Sequence, residues 1–489
     1  MKKFFLYVIG GHYGDEAKGK VVDSLAKNFD IVVRGSGGNN AGHTVKHEDK
    51  TFAFHLLPSG VLYPNTLNIL GMEMMINPTA LISEINEVKS RGFEPKIKIS
   101  TMATVVTDWH IHFDAAQEEK GKGMIGTTKR GIGPAAESKY NRKTALRIKD
   151  LVSNNLEEKI LDIVKILSAK LIMSHPRFQK FSGLKINELL DDKDASELKK
   201  EFNNSLNDYA HEQAHLLRQT GDILKEYFCE NVAEEVLSKN VRFILGEGAQ
   251  GTMLDPTFGE LPYTTSTPTT AASISRGMAF EPRKKDVICV FKAYETRVGE
   301  GPFATELGDR KRLTKELEEY RAKHGAMAKI QLNDEEKELI NSLNKTNPDY
   351  NHTVGKYLLS KGNEYGTTTG RPRRCGWFNL DEAVKAKWIN GMTWVAITKL
   401  DVLDELKEIQ LGIKAHKNKV KYKSFTGWGS DTTKCRSYDE LPQEAKDYLN
   451  FMEKKISPIA IVSVGPDKEQ TIFTEKFKTY LKKQGVKNE

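Results

Sequence analysis

The stretch Gly10-Gly11-His12-Tyr13-Gly14-Asp15-Glu16-Ala17-Lys18-Gly19-Lys20 combines glycines, lysines and two carboxylates directly after an apolar run. Gly14, Gly19 and Lys20 have the spacing of a phosphate-cradling loop. Val21, however, stands where a serine or threonine would offer a hydroxyl to magnesium. An anion site remains chemically available, because glycines expose backbone amides and a helix N-terminus follows. Lys18 or Lys20 can neutralise phosphate, and Asp15 can supply the oxygen ligand that Val21 cannot. A tight strand–helix turn with solvated charges would use the same residues.

A second glycine segment, residues 35–44, carries Asn39, Asn40, Gly42, His43 and Thr44. It follows the next apolar run, so Asp15 and His43 can flank one ligand as carboxylate and imidazole. Residues 126–134 (with Thr128, Lys129 and Arg130) and residues 366–374 (with Thr367, Thr368, Thr369, Arg371, Arg373 and Arg374) are dense in hydroxyls and guanidiniums that hold carboxylate or phosphate oxygens. Both could equally be solvated turns. Gln250 offers a donor and an acceptor to a base edge, with buried packing as its alternative.

Lys399-Leu400-Asp401 closes an apolar run, and on a strand its first and third residues would share a face. One carboxylate can accept both the ring N1–H and the exocyclic amine of guanine. Adenine lacks that N1–H and would leave the carboxylate poorly paired. Lys399 can lay its stem over the ring. This favours GTP over ATP, and a strand-end salt bridge is the plain alternative.

These residues need a frame that brings distant loops together. Residues 4–9 read as a buried strand, 21–29 as a helix and 31–33 as a second strand, a βαβ opening. Further strands are expected at 67–70, 243–245, 287–291, 394–400 and 459–464. Several end in Gly, Lys or Asp, where parallel sheets present ligand-contacting residues. The expected fold class is α/β: a large, mostly parallel central sheet with flanking helices and a P-loop-like phosphate site. Residues 1–476 form one catalytic domain containing a helical subdomain at 141–240. A charged helical insertion lies at 309–350, which the core could spare, and a tail at 477–489.

With 489 residues, 38% hydrophobic and 9% aromatic, the chain has enough apolar material for a large core and is not compositionally disordered. No apolar run is long enough to span a bilayer, so no membrane partner is expected. The formal charge of +8 is mild for this size, and basic runs are short and scattered, which argues against a nucleic-acid partner. Four widely spaced cysteines (229, 289, 375 and 435) make no metal motif and fit a reducing compartment. The apolar start runs into Gly10-Gly11-His12 without a cleavage pattern, so a cytoplasmic location is expected.

Taken in order, residues 14–20, 40–44, 126–134, 247–255, 294–306, 362–377, 398–404 and 463–467 resemble the adenylosuccinate synthetase family, over about residues 5–471. The resemblance implies GTP-dependent ligation of IMP and L-aspartate through 6-phosphoryl-IMP, with Mg2+ as cofactor. By position it implies Asp15 as base, His43 as acid, and Lys18 and Gln250 in the catalytic set. GTP would meet Gly14, Glu16, Ala17, Lys18, Gly19, Lys20, Gly42, Thr44, Lys399, Asp401, Ser463, Gly465 and Pro466. IMP would meet Asp15, Asn40, Thr128, Gln250, Thr265 and Arg371, with Arg142 reaching a neighbouring subunit's site in a homodimer. Aspartate would meet Thr367, Thr368, Thr369, Arg371 and Arg373, and Asp15 and Gly42 would hold the metal.

The chain departs from the family's usual residues at His12, Tyr13, Ala17, Asn39, Ala136 and Pro372. Ala17 must adopt an ordinary φ or be strained. The alternatives are 2-aminoadenylosuccinate synthesis from dGMP and aspartate, a turnover-deficient nucleotide-binding regulator, or an RNA-binding protein. Against the first, the branch with that activity tends to carry Ser where this chain keeps Asp15.

Overall fold

The computed structural model describes residues 2–47, 50–120, 126–184, 196–366, 370–416 and 419–487. Its centre is an 11-stranded sheet. From one edge the order runs Thr471–Phe473, Ile459–Ser463, Trp394–Thr398, Asp286–Lys292, Phe4–Gly10, Phe243–Glu247, Ile31–Gly38, Leu67–Ile76, Lys96–Ser100 and Phe228–Cys229. Thr104–Val105 pairs beside Leu67–Ile76. All neighbours are parallel except the edge pair Ile459–Ser463 and Thr471–Phe473.

The first strand shows why the sheet is buried on both faces. Phe5, Tyr7 and Ile9 enter one core, whereas Phe4, Leu6 and Val8 enter another on the opposite face. The side-chain period of two distributes a continuous apolar run between two layers. A third core lies under the helices Leu156–Ile166 and Glu197–Leu224, where Ile160, Ile163, Phe178, Phe202 and Leu217 are buried.

Several boundaries differ from the sequence expectations. The first helix is Lys18–Ala26, so Lys18 and Lys20 sit in its first turn rather than in the loop before it. The second strand extends through the glycines to Gly38. It must be smooth there, because a Cβ at Gly35 would lie 2.4 Å from the Ile274 Cα of the helix Ala271–Gly277 packed on it. His43 begins a strand, His43–His47, that pairs antiparallel with Lys50–Phe54. Trp394–Thr398 stops before Lys399, which has φ +57°, and a 3-10 turn Leu400–Leu403 follows. Lys399 and Asp401 therefore do not share a strand face.

The charged segment forms two helices, Arg310–His324 and Asp334–Ser342. It is not peripheral to the core: Leu317, Ile330 and Ile340 are buried in the largest apolar cluster. The C-terminal helix Glu475–Gln484 likewise buries Phe477 and Leu481 in the layer containing Phe4 and Trp394. Among the described residues, no helix is long and apolar enough to cross a membrane.

Candidate active site

The carboxyl ends of the central strands open into a cavity of about 940 Å³. That is room for several small ligands at once. Asp15 and His43 both line it, together with Lys18, Lys20, Asn40, Gly42, Gln250, Lys399 and Asp401. The loops after the first two long strands thus converge, as parallel topology requires.

The phosphate-loop turn is held from inside. Asp15 and Ala17 both have left-handed φ values, +60° and +65°. The Glu16 carboxylate accepts from the backbone N–H of Gly14 (2.8 Å) and His12 (3.2 Å), and from Lys18 Nζ (2.7 Å). Glu16 is buried and does not line the cavity, so its side chain shapes the loop instead of meeting a ligand. Gly19 lets the first helix approach the imidazole strand: a Cβ there would come within 2.9 Å of the His43 Cβ.

The Asp15 side chain keeps 37% of its surface and forms an ion pair with Arg373, Nε to Oδ2, at 2.8 Å. Enclosure pushes its pKa up, but Arg373 first, then Lys292 and Lys18, outweigh that and hold it below the ordinary carboxylate range. Asp15 and Gly42 both line the cavity, and a carboxylate and a backbone carbonyl are hard-oxygen donors of the kind that Mg2+ takes.

His43 is buried, and its Nδ1 bonds to Glu247. The Ser59 N–H (2.7 Å) and Oγ (2.8 Å) also donate to Glu247. Burial lowers the imidazole pKa against the opposing pull of Glu247. Burial also works to raise the Glu247 pKa, but His43 and Arg34 overcome it and the carboxyl stays below its usual range. An ionised Glu247 assigns the proton to His43 Nδ1 and leaves Nε2 as the nitrogen for a ligand.

Farther along, Lys20 Nζ donates to Ser463 Oγ (2.6 Å) and Gly465 O (2.5 Å). Burial lowers its pKa to about 8, opposed by Asp401 and Asp467. Lys399 lines the cavity, and its ammonium donates to Glu364 (2.6 Å) and Gly362 O (2.6 Å). Asp401 Oδ1 is buried with no hydrogen-bond partner, and burial raises the group's pKa. Gln250 Nε2 donates to Asn40 Oδ1 (3.1 Å), whereas Gln250 Oε1 and Asn39 Oδ1 have no partner. Buried orphaned acceptors are costly, so these atoms mark where donors of a ligand belong.

Gly14, Ala17, Gly19, Thr44, Thr128, Arg371, Ser463, Gly465 and Pro466 also line the cavity. Thr265 and Arg142 do not: Thr265 is half-buried with Oγ1 unpaired, and Arg142 is exposed in a turn. Thr367, Thr368 and Thr369 lie outside the described residues.

Sequence reasoning missed the charges beneath the site. Glu364 pairs with both Lys292 (2.7 Å) and Lys399 (2.6 Å). Burial works against its ionised form, yet these two ammoniums carry its pKa down to about 2. Arg310, Leu313 and Thr314 of the charged insertion form part of the wall. Only a position at the end of a strand could have flagged Lys292.

Comparison with known proteins gives a consistent relationship. The family model described as adenylosuccinate synthetase matches residues 7–472. An adenylosuccinate synthetase of Halothermothrix orenii is 35% identical over 494 residues, covering 96% of this chain and 98% of that one. One from Gloeobacter violaceus is 36% identical over 490 residues, covering 96% and 95%. The fully ligated adenylosuccinate synthetase from Plasmodium falciparum superposes with a TM-score of 0.73 at 31% identity, covering 96% of this chain and 99% of that one. The succinoaminodeoxyadenylate synthetase of cyanophage S-2L, bound to dGMP and dATP as an energy donor, has a TM-score of 0.55 at 16% identity, covering 97% and 96%, a likeness of fold alone.

Proposed function

The chain belongs to the adenylosuccinate synthetase family and is a GTP-dependent ligase of IMP and L-aspartate; from that premise we propose how its own residues carry the reaction. The observation that supports the reading is one cavity shared by Asp15, His43, Gln250 and Asp401.

Asp15 takes the N1 proton of IMP, which shifts electron density to O6. That oxygen attacks the γ-phosphorus of GTP, the bond to the β–γ bridging oxygen breaks, and GDP leaves. Lys18 offsets the negative charge, and His43 Nε2, protonated as the triphosphate arrives, donates toward the departing β-phosphate. Glu247 holds the ring for that donation. Phosphorylated O6 is then a good leaving group. The aspartate amine attacks C6, loses a proton, and phosphate departs with O6.

Mg2+ would be held by the Asp15 carboxylate and the Gly42 carbonyl, where it supplies charge neutralisation for the phosphates. Asp401 accepts the guanine N1–H and amine, Asn40 and Gln250 orient IMP, and Arg371 and Arg373 meet the aspartate carboxylates. Exposed Arg142 supports a homodimer in which it serves the neighbouring chain's IMP phosphate. Four buried free cysteines support a reducing, cytoplasmic setting.

The test offers IMP or dGMP, each with GTP, Mg2+ and aspartate. Adenylosuccinate and phosphate are expected from IMP. Product from dGMP alone would overturn the substrate assignment, and GTP binding without IMP-dependent phosphate release would overturn the assignment as an enzyme.

A further inference from the structure

Behind the phosphate-loop turn, three side chains converge outside the ligand cavity. His12, Glu295 and Glu382 each offer a ligand atom, all within 4.8 Å of one another. His12 and Glu295 are 2% and 1% exposed. The imidazole is clamped between the rings of Phe291 and Phe378, at centroid distances of 4.7 and 4.9 Å.

Hydrogen bonding fixes what each group presents. His12 Nε2 lies 3.2 Å from the carbonyl oxygen of Asn379. A carbonyl only accepts, so Nε2 carries the proton and the Nδ1 lone pair faces Glu295 Oε1 at 3.6 Å. Thr305 Oγ1 donates to Glu295 Oε2 (3.0 Å) and Tyr13 OH donates to Glu382 Oε1 (2.7 Å). The other two oxygens, Glu295 Oε1 and Glu382 Oε2, are buried and have no hydrogen-bond partner.

Three acceptor atoms therefore meet, and without a metal, burial and the neighbouring Glu382 push the Glu295 carboxyl well above its usual range, so a proton must stand in for the missing donor. One proton shared by the carboxyls would pair two and leave the imidazole lone pair facing an oxygen. Arg297 lies over the Tyr13 ring, 4.1 Å from its centroid, and bonds elsewhere, to the carbonyls of Glu300 and Tyr263. A dication satisfies all three acceptors at once. The 3.6 Å spacing is close to the edge of about 3.4 Å expected for tetrahedral zinc bound by nitrogen and oxygen. An imidazole in the set selects against Mg2+ and Ca2+.

We propose that His12 Nδ1, Glu295 Oε1 and Glu382 Oε2 form a structural site for a first-row transition-metal dication of the zinc type. Held there, the metal ties the residues preceding Asp15 to the strand Glu295–Arg297 and the helix Leu380–Asn390.

A second cluster, Asp108, His112 and His175, offers a weaker set. His175 Nδ1 accepts from the Arg177 N–H (3.2 Å), so its Nε2 is protonated toward Asp108 and is no ligand.

The experiment uses full-length, tag-free protein without nucleotide, loaded with Zn2+, dialysed against metal-free buffer and analysed for metal. Co2+ replaces Zn2+ for visible spectroscopy. The wild type should retain about one zinc per chain, and Glu295→Gln and His12→Gln should each weaken binding by about tenfold or more. Chelation should lower the melting temperature of the wild type but not of the variants. Co2+ should give the intense visible bands of a tetrahedral centre. A wild type without retained zinc and without those bands overturns the proposal and leaves a shared proton. So does zinc unaffected by Glu295→Gln and His12→Gln but lost on His112→Ala. Should a variant fail to fold, the Co2+ spectrum of the wild type decides.

Discussion

Arg373 Nε lies 2.8 Å from Asp15 Oδ2, so a guanidinium from the segment expected to meet aspartate rests on the carboxylate assigned as base. The pair keeps Asp15 ionised, and on the proposed roles it would tie the two half-reactions to one contact. On the proposed assignment, aspartate carboxylates would compete with Asp15 for the same cation.

Asp15→Asn should preserve the fold and lower kcat by about a thousandfold, because an amide cannot take the N1 proton. Steady-state turnover beside a circular-dichroism melt checks this. Turnover within tenfold of the wild type would remove Asp15 from the chemistry.

Glu247→Gln removes the charge that steadies the His43 imidazolium. A drop in kcat of about a hundredfold with little change in KM for GTP is expected. The alkaline limb of the pH–rate profile should move to lower pH, because the imidazolium loses its proton sooner. A uniform loss with an unmoved profile would assign Glu247 a packing role only.

Asp401→Asn should weaken GTP by about ten- to a hundredfold, the worth of a charged hydrogen-bond acceptor. The preference for GTP over ITP, which lacks the 2-amine, should shrink with it. Competition binding with both nucleotides measures the difference, and an unchanged ratio would take Asp401 out of guanine recognition.

Lys20 has its pKa lowered to about 8 by burial. Its ammonium is therefore lost as pH rises through that value, and GTP affinity should fall there in a calorimetric titration. The stability effect has the opposite sign. Between about 8 and the ordinary lysine range the unfolded chain binds the extra proton, so this group's contribution to folding improves with pH. Lys20→Met should flatten the pH dependence of binding.

Ala17→Gly should stabilise the protein, because the alanine sits at φ +65° without a compensating cap. Relief of that strain is worth about 1 kcal/mol before the added freedom of glycine in the unfolded chain is subtracted. The melting temperature should rise by about 1–2 °C. A fall would mean that the methyl group packs usefully.

Much of the frame was legible because apolar runs such as Phe4–Gly10 and Asp286–Lys292 are long enough to declare buried strands. Their carboxyl ends then located the loops. The turns themselves resisted reading: nothing in Thr398-Lys399-Leu400 announces that Lys399 turns left-handed and leaves the strand. Partners distant in the chain were also invisible. Glu247 bonds to His43 across 204 residues and Glu364 reaches Lys292 across 72, and no local pattern encodes such pairs. The insertion was judged dispensable because Leu317 and Ile330, scattered among charges, do not announce that they anchor it together with Ile340.

The missing side chain at residue 19 has a mechanical consequence. A Cβ at Gly19 would lie 2.9 Å from the His43 Cβ, so no side-chain carbon fits between the turn proposed to hold the γ-phosphate and the strand that carries the ring. Moving the turn toward that strand would therefore push the ring with it. A bulkier residue at that position would act as a wedge, spoiling the alignment of acid and base while leaving every charge in place.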